Sequence, residues 1–201
     1  MEIGLYKLKY PARKLINGVL PLVENVNPNT VSWLLLPVGA AIAVSVYLAA
    51  NGAAYWFLIA TLLSVVRMFL STLDGLMAEY FNKQSPKGEI INRLTPEICD
   101  VMYLVAITIA RPEWFYLGLA VLSIAWLTSF SGLIGLSINK KIESVGPAGQ
   151  TDRLALFIVF SILAYFSEVQ HWGVDMIQLF LAISVIAGII TILIRLSRSL
   201  K

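Results

Sequence analysis

The chain has 201 residues, of which 58% are hydrophobic and 13% charged, with a formal net charge of +3 and a mean hydropathy of +0.79. An ordinary soluble domain is about 45–50% apolar and about 25% charged, so this composition excludes a soluble enzyme and a disordered chain. The single Cys99 excludes an internal disulfide framework, and no Cys/His cluster has zinc spacing.

Residues 1–29 mix Lys7, Lys9, Arg13 and Lys14 with Leu5, Tyr6, Leu8, Leu15, Val19 and Leu20. From Ala12 to Val23 the apolar positions follow a helical period with charge at one end, which predicts an amphipathic helix lying on a membrane surface. Asn27-Pro28-Asn29-Thr30 is a turn signal, with Asn29 or Thr30 as the expected cap of the next helix. Six apolar segments follow, near Val31–Ala50, Tyr55–Ser71, Ile90–Ala110, Trp114–Ile138, Leu154–Phe166 and Met176–Ile194. Six spans of about 20 residues each would use nearly the whole apolar content. The expected fold is an all-α membrane protein of six transmembrane helices behind the surface helix. One domain covers 1–201, with 1–29 as surface helix and linker and 30–201 as the bundle. No secretory signal is expected, because the first apolar run is long and starts 30 residues in.

Of the 15 Lys and Arg residues, 13 fall in the tails or the even-numbered loops, Arg111 lies on the other side and Arg67 lies inside the second segment. The positive-inside rule then places both termini in the cytoplasm and the chemistry at the cytoplasmic face. A compact six-span chain with short loops suits a prokaryotic inner membrane. His171 falls on the outer side, and the Trp residues near segment ends fit interfacial belts.

Charge inside a membrane segment costs several kcal/mol unless it is paired or wetted, so the polar intramembrane residues are the functional candidates. Arg67, Ser71, Asp74 and Ala78 share one helix face, and Asn92, Pro96 and Asp100 share another with Glu97 beside them. Facing each other, the two stripes would form a polar, partly anionic pocket with Arg67 deeper in the membrane. Mutual neutralisation of Arg67 and Asp100 is the plainer alternative.

Asp74-Gly75-Leu76-Met77-Ala78-Glu79, then Gly88, Asn92 and Pro96, resembles the CDP-alcohol phosphatidyltransferase signature D-x-x-D-G-x-x-A-R-x8-G-x-x-x-D-x-x-x-D. The alignment runs from Ser71 to Pro96 without a gap. Pro28-Asn29-Thr30-Val31-Ser32, and Gly146-Pro147-Ala148-Gly149-Gln150-Thr151-Asp152-Arg153, also look like segments of that family. The resemblance implies transfer from a CDP-linked lipid to an alcohol with release of CMP. It further implies two divalent ions, magnesium or manganese, held by four carboxylates, the last of which serves as base.

In this sequence the four carboxylate positions are Ser71, Asp74, Asn92 and Pro96, and the motif arginine is Glu79, while Gly75, Ala78 and Gly88 are kept. The expected metal-side residues are Asp74, Asn92 and Asp100, with Glu97 and Asp100 as substitute catalytic carboxylates. Asp74, Glu79, Glu97 and Asp100 regrouped around one ion is a further arrangement. The expected substrate-side residues are Gly75, Ala78, Gly88 and Arg153. Thr95-Pro96-Glu97 resembles a helix start, but the remaining run is too short to span, so a kinked or broken third helix beginning near Gly88 is expected. Two functions stay open: a non-catalytic or weakly active descendant that binds lipid or nucleotide or serves as an assembly subunit, and an active phosphatidyltransferase with an altered metal site. The expected partners are membrane lipid, a CDP-linked lipid, and a second copy or a larger membrane complex; nucleic acid is not among them.

Overall fold

The structure is a computed structural model that describes residues 18–138 and 140–200. Those residues form six long helices: α1 (Pro28–Ala50), α2 (Tyr55–Tyr80), α3 (Pro86–Ala110), α4 (Phe115–Ser137), α5 (Gln150–Gln170) and α6 (Met176–Ser199). Short 3-10 turns at Leu20–Val23 and Pro112–Trp114 complete the secondary structure of the described residues.

The helix ends follow local chemistry. Asn27, not Asn29 or Thr30, caps α1: its side chain accepts the Asn29 N–H at 2.9 Å, and Pro28 takes the first helical position, where no N–H is needed. Ser85 and Pro86 repeat that arrangement at α3, with Ser85 Oγ accepting the Gly88 N–H at 3.0 Å. The α3 helix therefore begins two residues before Gly88 and runs unbroken through Pro96. Thr95 does not start a helix, because its hydroxyl donates back to Ile91 O at 2.9 Å. Asp175 caps α6 through Ile177 N and Gln178 N, and His171 ends α5 in the left-handed conformation at φ 54°.

Four helical stretches are long and apolar enough to cross a membrane: Pro28–Ala50, Tyr55–Tyr80, Pro112–Ser137 and Met176–Ser199. The other two helices, α3 and α5, carry Glu97, Asp100 and Arg153; the apolar run of α5 between Leu154 and Phe166 reaches only about 20 Å at 1.5 Å per residue. Six long helices are observed among the described residues, and four of them meet the length and apolarity of a membrane span. Of the expected surface helix, residues 1–17 lie outside the described residues, and the described part is a 3-10 turn whose Leu20 is buried against Val31, Leu73, Leu76 and Met77.

Helix α1 packs on α2 and α3, α4 on α6, and α5 on α2 and α6. The main core joins Ile42, Val46, Phe57, Tyr103, Leu104, Phe157 and Phe180, with Tyr103 stacked on Phe157 at 4.5 Å between ring centroids. Outward-facing Leu62, Phe130, Ile186 and Leu193 are exposed, as lipid contact requires. At one end of the bundle Arg111 lies 3.2 Å from Glu168 and 3.9 Å from both Glu113 and Asp175, joining the α3–α4 and α5–α6 connections. At the other, Lys140 Nζ donates to Ser199 O at 2.9 Å and Lys83 Nζ to Glu24 O at 2.7 Å.

The α1–α3 crossing depends on Gly39. A Cβ there would sit 2.6 Å from Cys99 Sγ, 2.8 Å from its Cβ and 3.1 Å from its Cα. Cys99 is a packing residue whose thiol donates to Leu35 O at 3.1 Å. Gly39→Ala should lower stability by about 1–3 kcal/mol through overpacking. Cys99→Ala should not rescue it, because the Cβ and Cα remain. Thermal unfolding of the single and double variants in detergent checks both statements.

Candidate functional site

Asp74, Gly75 and Ala78 on α2 face Gly88 and Asn92 on α3 across a cleft of about 530 Å³, closed on a third side by Pro28, Asn29 and Ser32 of α1. Five of the residues singled out in the sequence (Asp74, Gly75, Ala78, Gly88 and Asn92) thus share one cavity. The cleft forms here because both α1 and α3 begin with a capped proline turn, which sets their first turns beside the last turns of α2. Close approach favours glycine at 88, where a Cβ would lie 2.9 Å from Asn29 Oδ1 and 3.0 Å from Ser85 Oγ; one on Gly75 would make ordinary contact, 3.6 Å from Asn92 Nδ2. Asp74 is buried, its Oδ2 accepting the Ser32 hydroxyl at 2.6 Å and its Oδ1 the Gly75 N–H at 2.6 Å. Lys83, at the rim, brings a cation that the sequence reading did not single out.

Two turns deeper along α2, about 10 Å by rise, lies a second polar group. Arg67 Nη2 approaches Asp100 Oδ1 at 2.6 Å and donates to Pro96 O at 2.6 Å. Arg153 reaches across from α5, its Nε and Nη2 donating to Asp100 Oδ2 at 2.7 and 2.5 Å and its Nη2 also to Glu97 Oε2 at 3.1 Å. Ser129 of α4 donates to Glu97 Oε1 at 2.5 Å. Arg67, Asp100 and Arg153 are buried, while the Glu97 side chain is 19% exposed. Asp100 and Glu97 therefore face arginines and a serine, whereas Asp74 opens onto the cleft.

The signature positions do not fit a pair of divalent ions. Hard cations need several oxygen ligands with enough negative charge to offset two dications. Ser71 and Asn92 are neutral, and the one oxygen of Pro96, its carbonyl, accepts from Arg67. Asp74 is the single carboxylate among the four. No group of three or more His, Cys, Asp or Glu side chains placed to hold a metal occurs among the described residues, so Asp74, Glu79, Glu97 and Asp100 are not gathered around one point. Arg153, a candidate for substrate contact, is turned inward onto carboxylates. Ser129 carried no signal in the sequence, because a lone hydroxyl in an apolar run ordinarily bonds back to its own helix.

No protein-family model matches this chain. It is 28% identical over 118 residues to the inner membrane protein YnbA of Escherichia coli K12, a match covering 58% of this chain and 59% of that protein. The chain thus spans about three fifths of the length of the curated relative it matches. Its structure is similar to that of the Mycobacterium tuberculosis phosphatidylinositol phosphate synthase solved with manganese and citrate, with a TM-score of 0.73 at 16% identity, covering 94% of this chain and 89% of that one. The resemblance read from Asp74, Gly75, Ala78 and Gly88 holds at the level of fold: the chain is a membrane protein, all-helical among the described residues, with the fold of a CDP-alcohol phosphatidyltransferase.

Proposed function

We propose that this chain uses the CDP-alcohol phosphatidyltransferase fold to bind a CDP-linked lipid or its nucleotide headgroup without performing the family's transfer. The observation that carries this reading is the contrast within one site. The cleft keeps Gly75, Ala78 and Gly88, which admit a ligand, while Ser71, Asn92 and Pro96 stand where three of the four carboxylates belong. Without those charges, the carboxylates that line the cleft, Asp74 and Glu89, fall short of the four positive charges that two ions would bring to stabilise the departing CMP. The chain would act as one membrane domain in a prokaryotic inner membrane, with both termini cytoplasmic, as a homodimer or as a subunit of a larger complex.

A second reading, an active phosphatidyltransferase with an altered metal site, is favoured by the manganese in the structurally similar synthase and by the place of Asp74 in the cleft. Binding and turnover separate the two. In nanodiscs containing CDP-diacylglycerol, the protein should be thermally stabilised relative to phosphatidylcholine alone. Stabilisation should shrink in Gly88→Leu, and no CMP should accumulate with a pool of acceptor alcohols. Metal-dependent CMP release would establish the second reading.

A further inference from the structure

The ionic group beneath the cleft has a composition that bears on metal binding in its own right. Each oxygen of Asp100 and Glu97 meets a partner: Asp100 Oδ1 has Arg67 as an ion pair without a hydrogen bond, Asp100 Oδ2 accepts from both Nε and Nη2 of Arg153, Glu97 Oε2 from Arg153 again, and Glu97 Oε1 from Ser129. Two guanidinium cations meet two carboxylates, so the group is neutral as it stands. The four helices α2, α3, α4 and α5 each contribute at least one member.

We propose that Arg67 and Arg153 act as built-in countercharges that close the α3 carboxylates to divalent ions, filling with guanidinium the role a metal would otherwise take. The inference rests on the reading above in taking the signature positions as unable to hold two ions, but it concerns Glu97 and Asp100 rather than Asp74. Buried carboxylates demand positive charge, because an unpaired charge in a low-dielectric interior is strongly unfavourable. A dication added to a neutral group would leave two uncompensated positive charges inside the membrane protein. To gain carboxylate ligands it would first have to displace Arg153, whose planar fork binds Asp100 through two nitrogens. The guanidinium is fixed in charge and carried by the chain, so this neutralisation does not vary with ion concentration.

The test is a manganese titration of the purified protein in nanodiscs, following the free-ion electron paramagnetic resonance signal. The wild type should show no saturable binding that depends on Glu97. Arg153→Gln leaves Asp100 and Glu97 with one cation between them, and its apparent manganese affinity should rise by roughly tenfold or more. Adding Glu97→Gln to Arg153→Gln should remove that gain. Saturable manganese binding by the wild type that disappears in Glu97→Gln would overturn the proposal, as would a folded Arg153→Gln protein that gains no binding. If Arg153→Gln does not fold, the wild-type and Glu97→Gln titrations decide alone. Wild-type binding lost in Asp74→Asn but kept in Glu97→Gln would contradict the proposed function while supporting the closure of the α3 carboxylates.

Discussion

Asp100→Ala should lower stability by about 3–5 kcal/mol. The carboxylate is buried and receives Arg67 on one oxygen and Arg153 on the other, so its removal takes a countercharge from two guanidinium groups at once. Arg153 would keep Glu97, but Arg67 would keep only the Pro96 carbonyl, and its Nε and Nη1 have no hydrogen-bond partner to begin with. Arg67→Met should be milder, since Asp100 would retain Arg153. That order, Asp100→Ala well below Arg67→Met, follows from the number of charges orphaned rather than from the volume removed. Thermal unfolding in a single detergent, with the variants side by side, reads it directly. Equal losses would mean that packing around the side chains, not their charge, holds these helices together.

Gly88→Leu should weaken binding of a CDP-linked lipid by about tenfold or more, equivalent to about 1.4 kcal/mol, while leaving the unfolding temperature close to wild type. Gly88 sits where the first turns of α1 and α3 meet across the cleft, and a side chain there must push Asn29 aside or fill the cavity. The nearest obstacle is the end of the Asn29 side chain, which can rotate away, whereas displacing Ser85 Oγ would cost at most the α3 cap, about 1 kcal/mol. A ligand occupying the same cavity has no such room to adapt. The pairing is diagnostic: Gly39→Ala should damage stability where backbone and Cβ atoms collide, and Gly88→Leu should damage binding where only side-chain ends are displaced.

Much of the helical framework is legible in the residues. Hydrophobic run lengths place all six helices, and the α2 and α6 starts at Tyr55 and Met176 agree with the structure to the residue. The shared faces of Arg67, Asp74 and Ala78, and of Asn92, Pro96 and Asp100, follow from helical spacing, and the Arg67–Asp100 pair is a consequence of their facing each other. Less visible is how far a polar first turn extends a helix. Apolar periodicity begins α3 near Ile90, but Ser85-Pro86 supplies cap and first position a turn earlier. Nor does spacing within one helix reveal which distant cation answers a carboxylate. Arg153 lies 53 residues from Asp100, and its register is set by the packing of α5 on α2 and α6. Family-like spacing around Arg153 points outward to phosphate, whereas the folded chain turns it inward.

Under the proposed reading, fold and chemistry separate in this chain. The small residues that let α1, α2 and α3 approach are kept as Gly75, Ala78 and Gly88, and with them the cleft. Removing carboxylates at Ser71, Asn92 and Pro96 alters charge without altering those crossings, so the architecture persists whatever the site does.

The central claim is that the cleft binds without transferring, and release of labelled CMP from CDP-diacylglycerol tests it most directly. The assay would use folded protein, a pool of acceptor alcohols, and magnesium or manganese, with Asp74→Ala in parallel. The account predicts no release above that variant, together with retained binding of the lipid by the wild type. Metal-dependent release that vanishes in Asp74→Ala would contradict it, and would show that a single signature carboxylate suffices for the transfer.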